Sequence, residues 1–364
     1  MREIPFSEPS VTDAERNAVA EALSGAKPWS WWLDAFAERV CEKTGTKFCI
    51  PTSSGTGALH LAMLAHGIGP GDEVIMPELT WVAARSAIHY VGATPVFADI
   101  TPDTWCIDPA DVIRKLTPKT KAIVPVHTYG HPVEMNALRA AARSVGVVVI
   151  EDAAPALGST YLGMPCGCLG DSAAFSFHYA KIVTTGGEGG AFVTNDERVY
   201  QKALYYANHC RDGGGFHCSG TGVKYKMSTP QAAFGWAQLG RLDDLVDRRR
   251  AIFQRYYNHL AKNCGDDTFI MNTGAPGCYW NGYVPCMVFA HGDMRTRVMN
   301  ALAAKGMAAR TFFGHLDDPL EIEEMYEMYP VSFCVDNGGM NLPCPATLTD
   351  EEIDYICEVI KGEL

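Results

Sequence analysis

Short apolar runs alternate with segments of helical period through the first two hundred residues. The runs DEVIM, TPVFADI, KAIVPV, GVVVIED, DSAAFSF and GGAFVTN read as strands. Gly57–Ala65, Val82–Tyr90, Val133–Arg143 and Glu197–Ala207 carry apolar residues at helical spacing. This alternation predicts βαβ units and a largely parallel α/β sheet covered on both faces. Ligands of such sheets bind at the carboxyl ends of the strands. A long helix is expected from about Pro230 to about Leu260, with the charged string DDLVDRRRAIFQR. After it come a strand in YVPCMVFA, a helix over Met294–Lys305 and a last helix from Asp350. The pattern divides into a large domain over 1–245 and a small α+β domain over 246–364. The stretch RDGGGFHCSGTG at 211–222 reads as a mobile loop.

Composition narrows the class. A chain of 364 residues is long enough for two domains. An apolar content of 47% and a mean hydropathy of −0.04 fit a soluble globular protein. No apolar run approaches the roughly 18 residues of a membrane span. MREIPFSEPSVTDAER lacks the apolar core of a signal peptide, so a cytoplasmic location is expected. The 13 cysteines are scattered and odd in number, which predicts free thiols and no metal site. A net charge of −12 argues against nucleic acid as a partner and requires local positive groups for any anionic substrate.

Three segments carry candidate chemistry. In DSAAFSFHYAKIVTTGGEGG, Lys181 follows a strand ending at Ser176 and precedes a glycine-rich turn. Upstream, GVVVI ends in Glu151-Asp152. A lysine for a Schiff base and a carboxylate for a pyridinium nitrogen are the groups that pyridoxal 5'-phosphate (PLP) requires. In PTSSGTGALHLA, small residues open a helix, so Ser54, Gly55 and Thr56 form a candidate phosphate cradle. A plain helix cap explains the same residues. Trp81 in PELTW offers an aromatic face for a flat ring, or packs in a core.

These segments occur in one order with GATPVFADI, PVHTYGHPVEM, EDAAPALGSTY, YKMSTPQAAFGWAQL and a matching tail, GMNLPCPATLTDEEIDYICEVI. The set resembles the DegT/DnrJ/EryC1/StrS aminotransferases over nearly the whole chain. The tail and the TTGGEGG turn look most like the GDP-perosamine synthase-like 4-aminotransferases. The resemblance implies the aspartate-aminotransferase fold (fold type I) and PLP. Lys181 would hold the cofactor and Asp152 its ring nitrogen. Trp81 would stack on the ring, and Gly55, Thr56 and Ser176 would hold the phosphate. A G-x-N-Y-R-M segment in such relatives reaches the partner's phosphate across a homodimer. Here it reads GVKYKM, with Lys224 in place of Asn and Lys226 in place of Arg. Pro155 also stands where Gln or His is usual.

Among the histidines, His127, His178, His209 and His315 lie in segments that border the site in relatives. His178 and His315 are candidate substrate contacts. Arg310 is a candidate for the donor carboxylate or a sugar phosphate by bidentate pairing, with a structural salt bridge as the equal alternative. Trp32, from the cluster Trp29, Trp31 and Trp32, could shape a substrate pocket, and ordinary packing or a dimer contact explains the cluster equally well. The expected activity is transamination from L-glutamate to a keto sugar, nucleotide-linked and 4-keto-6-deoxy. Three alternatives remain open at this point. One is an aminotransferase for a cyclitol or free keto sugar. Another is a different enzyme of this fold, such as a cysteine desulfurase. The third is a non-enzymatic PLP-binding regulator.

Overall fold

The computed structural model describes residues 2–211, 216–261, 268–317 and 320–364. Its strands are β1 (Phe48–Thr52), β2 (Glu73–Pro77), β3 (Thr94–Ala98), β4 (Thr120–Ile123), β5 (Val148–Asp152), β6 (Thr160–Tyr161), β7 (Met164–Pro165), β8 (Ser172–Ser176), β9 (Gly190–Thr194), β10 (Phe269–Met271), β11 (Cys278–Tyr279), β12 (Cys286–Phe289), β13 (Arg310–Thr311) and β14 (Gly339–Asn341). The helices are α1 (Asp13–Ser24), α2 (Trp29–Thr44), α3 (Gly55–His66), α4 (Ala83–Tyr90), α5 (Pro109–Lys115), α6 (Met135–Val145), α7 (Glu197–Ala207), α8 (Thr229–Leu239), α9 (Leu242–Leu260), α10 (Gly292–Ala304), α11 (Ile322–Met328), α12 (Pro330–Gly338) and α13 (Asp350–Lys361).

A seven-stranded sheet runs in the order β1-β9-β8-β5-β4-β2-β3. The pairs from β3 through β2, β4 and β5 to β8 are parallel, as the crossover helices require. β9 is antiparallel to both β8 and β1. No crossover helix joins β8 to β9, so the chain returns by a loop, and that loop carries Lys181. A second sheet, β10-β12-β14-β13, is antiparallel. A small third sheet ties β6 to β11, so the polypeptide around residue 161 meets that around residue 278.

The expected long helix is two helices. Gly240 and Arg241 break it, with Arg241 at φ −114°, ψ 15°. Glycine has low helix propensity. Arg241 gains outside partners there, donating to Ser10 O at 2.9 Å and pairing with the buried Glu15. The expected boundary at 245/246 lies inside α9. One apolar core joins the two sheets and includes Ile123, Phe175, Tyr256, Met287 and Ile356. α13 starts where expected, at a capping box between Thr349 and Glu352. Of the expected mobile loop, residues 212–215 lie outside the described residues. No helix among the described residues is long and apolar enough to cross a membrane.

Candidate active site

The parallel strands bring their carboxyl ends to one edge of the sheet. Asp152 ends β5 and Ser176 ends β8. Thr52 ends β1 beside Gly190 of β9, and Pro77 ends β2. In the return loop, Lys181 N donates to His178 O at 2.9 Å, which closes a turn. Thr184 Oγ1 donates to Phe177 O at 3.1 Å, and Thr185 Oγ1 to Glu188 O at 2.6 Å. The threonines of TTGGEGG thus staple the loop that presents Lys181. The lysine ammonium lies 4.8 Å from the ring centroid of Tyr283, which is buried.

Strand alternation separates Glu151 from Asp152, because successive side chains point to opposite faces. Glu151 is fully buried and saturated. It accepts from the N–H groups of Gly167, Leu169 and Gly170 at 2.6–2.8 Å. His127 Nε2 lies 2.9 Å from its other side. Val133 N–H donates to His127 Nδ1 at 3.1 Å, so Nε2 carries the proton and donates to Glu151. Glu151 and His127 are therefore structural. Asp152 is also buried, and its Oδ1 accepts from Ala154 N–H at 3.1 Å. Burial pushes its pKa up, and the Ala154 bond and the charge of Lys181 pull it partly back. A cationic N–H placed against Asp152 would relieve the cost of that buried charge.

The loop after β1 opens α3. Ser54 is the N-cap, and its Oγ accepts from Gly57 N at 3.1 Å. The cap does not compete with a cradle, because the hydroxyl serves Gly57 while Gly55 and Thr56 open the first turn. Gly55 is needed by close approach, since a Cβ there would stand 2.9 Å from Ser176 Cβ. Gly190 is needed for the same reason, as its Cβ would stand 2.3 Å from Ser54 O. Gly55→Ala should destabilise the fold by about 1–3 kcal/mol through overpacking. It should also close the cradle and weaken cofactor retention. Thermal melting and dialysis check both, and a variant that holds PLP like the parent would refute the cradle.

Trp81 is 62% exposed and meets Phe313 edge-on at 6.3 Å, so it is a free face and not core. His178 shares the Lys181 turn, and burial lowers its pKa, with Glu188 opposing and the positive charges of Lys181 and Arg310 adding to the shift. His178 Nε2 is 3.6 Å from Glu188. The exposed Arg310 also lies over the Phe6 ring at 4.2 Å. His315 is elsewhere engaged, with Nδ1 3.0 Å from the buried Glu78. Trp32 is not brought to the site. It is fully buried, edge-on to Trp31 and Trp236, because its position on α2 faces α8. Lys224 is exposed. Its segment lies across the chain's own loop, where Tyr225 O accepts from Ser53 N and Lys226 bridges Thr52. Pro155 O accepts from Asn281 Nδ2 at 2.8 Å, so the residue serves the contact with the 278–283 segment.

The match to known proteins spans this whole arrangement. The family model "DegT/DnrJ/EryC1/StrS aminotransferase family" matches residues 10–361. The chain belongs to this aminotransferase family. A GDP-perosamine synthase of Escherichia coli O157:H7 is 36% identical, over 99% of this chain and 98% of its own. One of Caulobacter vibrioides gives the same identity and coverage. Among solved structures, the putative sugar aminotransferase Spr1654 of Streptococcus pneumoniae, in its PMP form, superposes with a TM-score of 0.90. It is 28% identical and the match covers 100% of this chain and 98% of that one. The DegT/DnrJ/EryC1/StrS aminotransferases depend on PLP. The residues present fit the group: a lysine on a stapled loop, a buried carboxylate short of counter-charge, and a glycine-lined helix N-terminus. Sequence reasoning missed Tyr283, Tyr129, Phe313 and Glu78, whose roles depend on contacts between distant segments.

Proposed function

We propose that this chain transfers an amino group from L-glutamate to a nucleotide-linked keto sugar, specifically a GDP-linked 4-keto-6-deoxy sugar. The observation that carries the reading is full-length similarity to two GDP-perosamine synthases. PLP, when bound, supplies an electron sink for the electrons released at the amino-acid carbon. Lys181 holds the cofactor, and its amine, once free, moves a proton from one carbon to another. Asp152 keeps the proton on the ring nitrogen. Trp81 covers one ring face and excludes water. Gly55, Thr56 and Ser176 bind the phosphate with backbone and hydroxyl donors.

Arg310 offers a bidentate partner for the donor carboxylate, with His178 beside it. Lys224, Lys226 and Arg211 supply positive charge for phosphate groups in an acidic chain. The electrostatic coupling of Lys226 to both Lys224 and Arg211 supports grouping them. The reading includes a homodimer in which Lys224 meets the partner's cofactor phosphate, and a division into domains near the start of α9. The test is incubation with L-glutamate and a panel of keto sugars linked to GDP, UDP or dTDP, with products read by mass spectrometry. The GDP-linked 4-keto-6-deoxy sugar should gain an amino group fastest. Amination of free keto sugars or cyclitol ketones alone would replace this reading with the cyclitol one.

A further inference from the structure

Glu78 follows the last residue of β2 and has no exposed surface. It accepts from Leu316 N–H at 2.8 Å, and His315 Nδ1 lies 3.0 and 3.1 Å from its two oxygens. A buried carboxylate is costly unless a cation or several donors meet it. His315 also stacks on Phe333, with centroids 5.7 Å apart, and its Nε2 lies 4.0 Å from Asp336. Asp336 Oδ1 accepts from Gly314 N–H at 3.0 Å, and Arg85 donates to Leu316 O at 2.6 Å. The segment 314–316 is therefore pinned to both the large sheet and α12.

This clamp sits two residues from an aromatic wall. Phe313 stacks on Tyr129 at 4.9 Å and 14°, and meets Trp81 at 6.3 Å. Tyr129 holds a left-handed φ of 52°, which only tight surroundings sustain in a bulky residue. Its hydroxyl accepts from Asn341 Nδ2 at 3.4 Å, and its carbonyl from Trp280 Nε1 at 2.9 Å. Tyr129 is thus fixed from three directions, and Phe313 is the link between it and Trp81. Trp81 itself is exposed, and Phe313 meets it edge-on.

We propose that His315 is a positioning residue: clamped between Glu78 and Asp336, it sets Phe313 and thereby the face that Trp81 presents to the cofactor ring. The proposal rests on the aminotransferase reading for the identity of that ring. Glu78 raises the His315 pKa above the ordinary imidazole value, against burial, and Asp336 adds to the effect. Among the described residues, the charged and titratable groups around His315 are Glu78, just past β2, and Asp336 on α12. One contact further out are Arg85 on α4 and the Asp317–Tyr329 pair. With a raised pKa, the clamp is complete below the usual imidazole range and is lost as pH rises through the raised value.

The test is titration of cofactor-free protein with pyridoxamine 5'-phosphate, which binds without a bond to Lys181. Affinities of the parent, His315→Asn and His315→Ala are compared at several pH values between about 6 and about 9. Asparagine keeps a donor to Glu78 and carries no proton to lose. The parent should bind about tenfold more tightly than His315→Asn at the acid end, the scale of one charged hydrogen bond. That advantage should vanish at the alkaline end, and His315→Ala should be weakest throughout. In a Trp81→Leu background, His315→Asn should cost nothing further. A parent-to-Asn ratio independent of pH, or additive effects with Trp81→Leu, would overturn the proposal alone. A parent that binds no pyridoxamine phosphate would overturn it together with the aminotransferase reading.

Discussion

Lys181→Ala should reduce amino transfer by at least ~10⁴-fold, because one residue loses both its nucleophilic and its proton-moving roles. The fold should survive. Lys181 is half-buried on a loop held by Thr184 and Thr185, and neither staple involves its side chain. The parent should stay yellow through dialysis, and the variant should lose its colour. Lys181→Arg separates charge from covalency. It keeps a positive charge at position 181 yet should be as inactive as the alanine variant, since a guanidinium neither holds the cofactor nor gives up its proton. A small primary amine in the buffer should restore part of the alanine variant's rate. Activity within tenfold of the parent, or borohydride labelling of a different lysine, would remove Lys181 from this role.

The strands of the large sheet were legible because they are buried on both faces and read as continuous apolar runs. DEVIM, GVVVIED and DSAAFSF became β2, β5 and β8. The direction of β9 was not legible, since an apolar run does not say which way it lies. What decides it is the absence of a crossover helix after β8, in the same loop that holds Lys181. The α8–α9 break was hidden for a related reason: Arg241 leaves helical geometry for Ser10 and Glu15, more than two hundred residues away. Trp32 stood out as an unusual residue, but helical facing sends it into the core while Trp29 stays exposed. Glu78 and Tyr129 gave no signal, because each acquires its role from a partner in the last third of the chain. The placement of Asp152, Lys181 and Gly55 was legible because it follows from local context: a strand end, a glycine turn, a helix start.

Asp152→Asn should separate function from stability, with the two moving in opposite directions. The carboxylate is buried, and burial raises its pKa in the folded chain. For a carboxyl whose folded pKa lies above its unfolded value, stability is lost as pH rises from the unfolded pKa through the folded one. At neutral pH, above the unfolded value, the buried carboxyl is therefore a net cost to the cofactor-free parent. Asparagine removes the charge and keeps an oxygen to accept from Ala154 N–H. The cofactor-free variant should melt at a higher temperature than the cofactor-free parent, and the difference should shrink as pH falls toward the ordinary carboxylate range. Catalysis should fall by roughly 10²–10⁴-fold, because a neutral amide does not hold a proton on the ring nitrogen. Cofactor should still bind, through Lys181 and the α3 cradle. Added cofactor should then stabilise the parent more than the variant, since only the parent's carboxylate gains a cationic partner on binding. Thermal melts with and without PLP, beside single-turnover rates with L-glutamate, read all of these effects. Near-parental turnover in Asp152→Asn, or a cofactor-free variant that melts below the parent at neutral pH, would show that Asp152 is an ordinary structural carboxylate like Glu151.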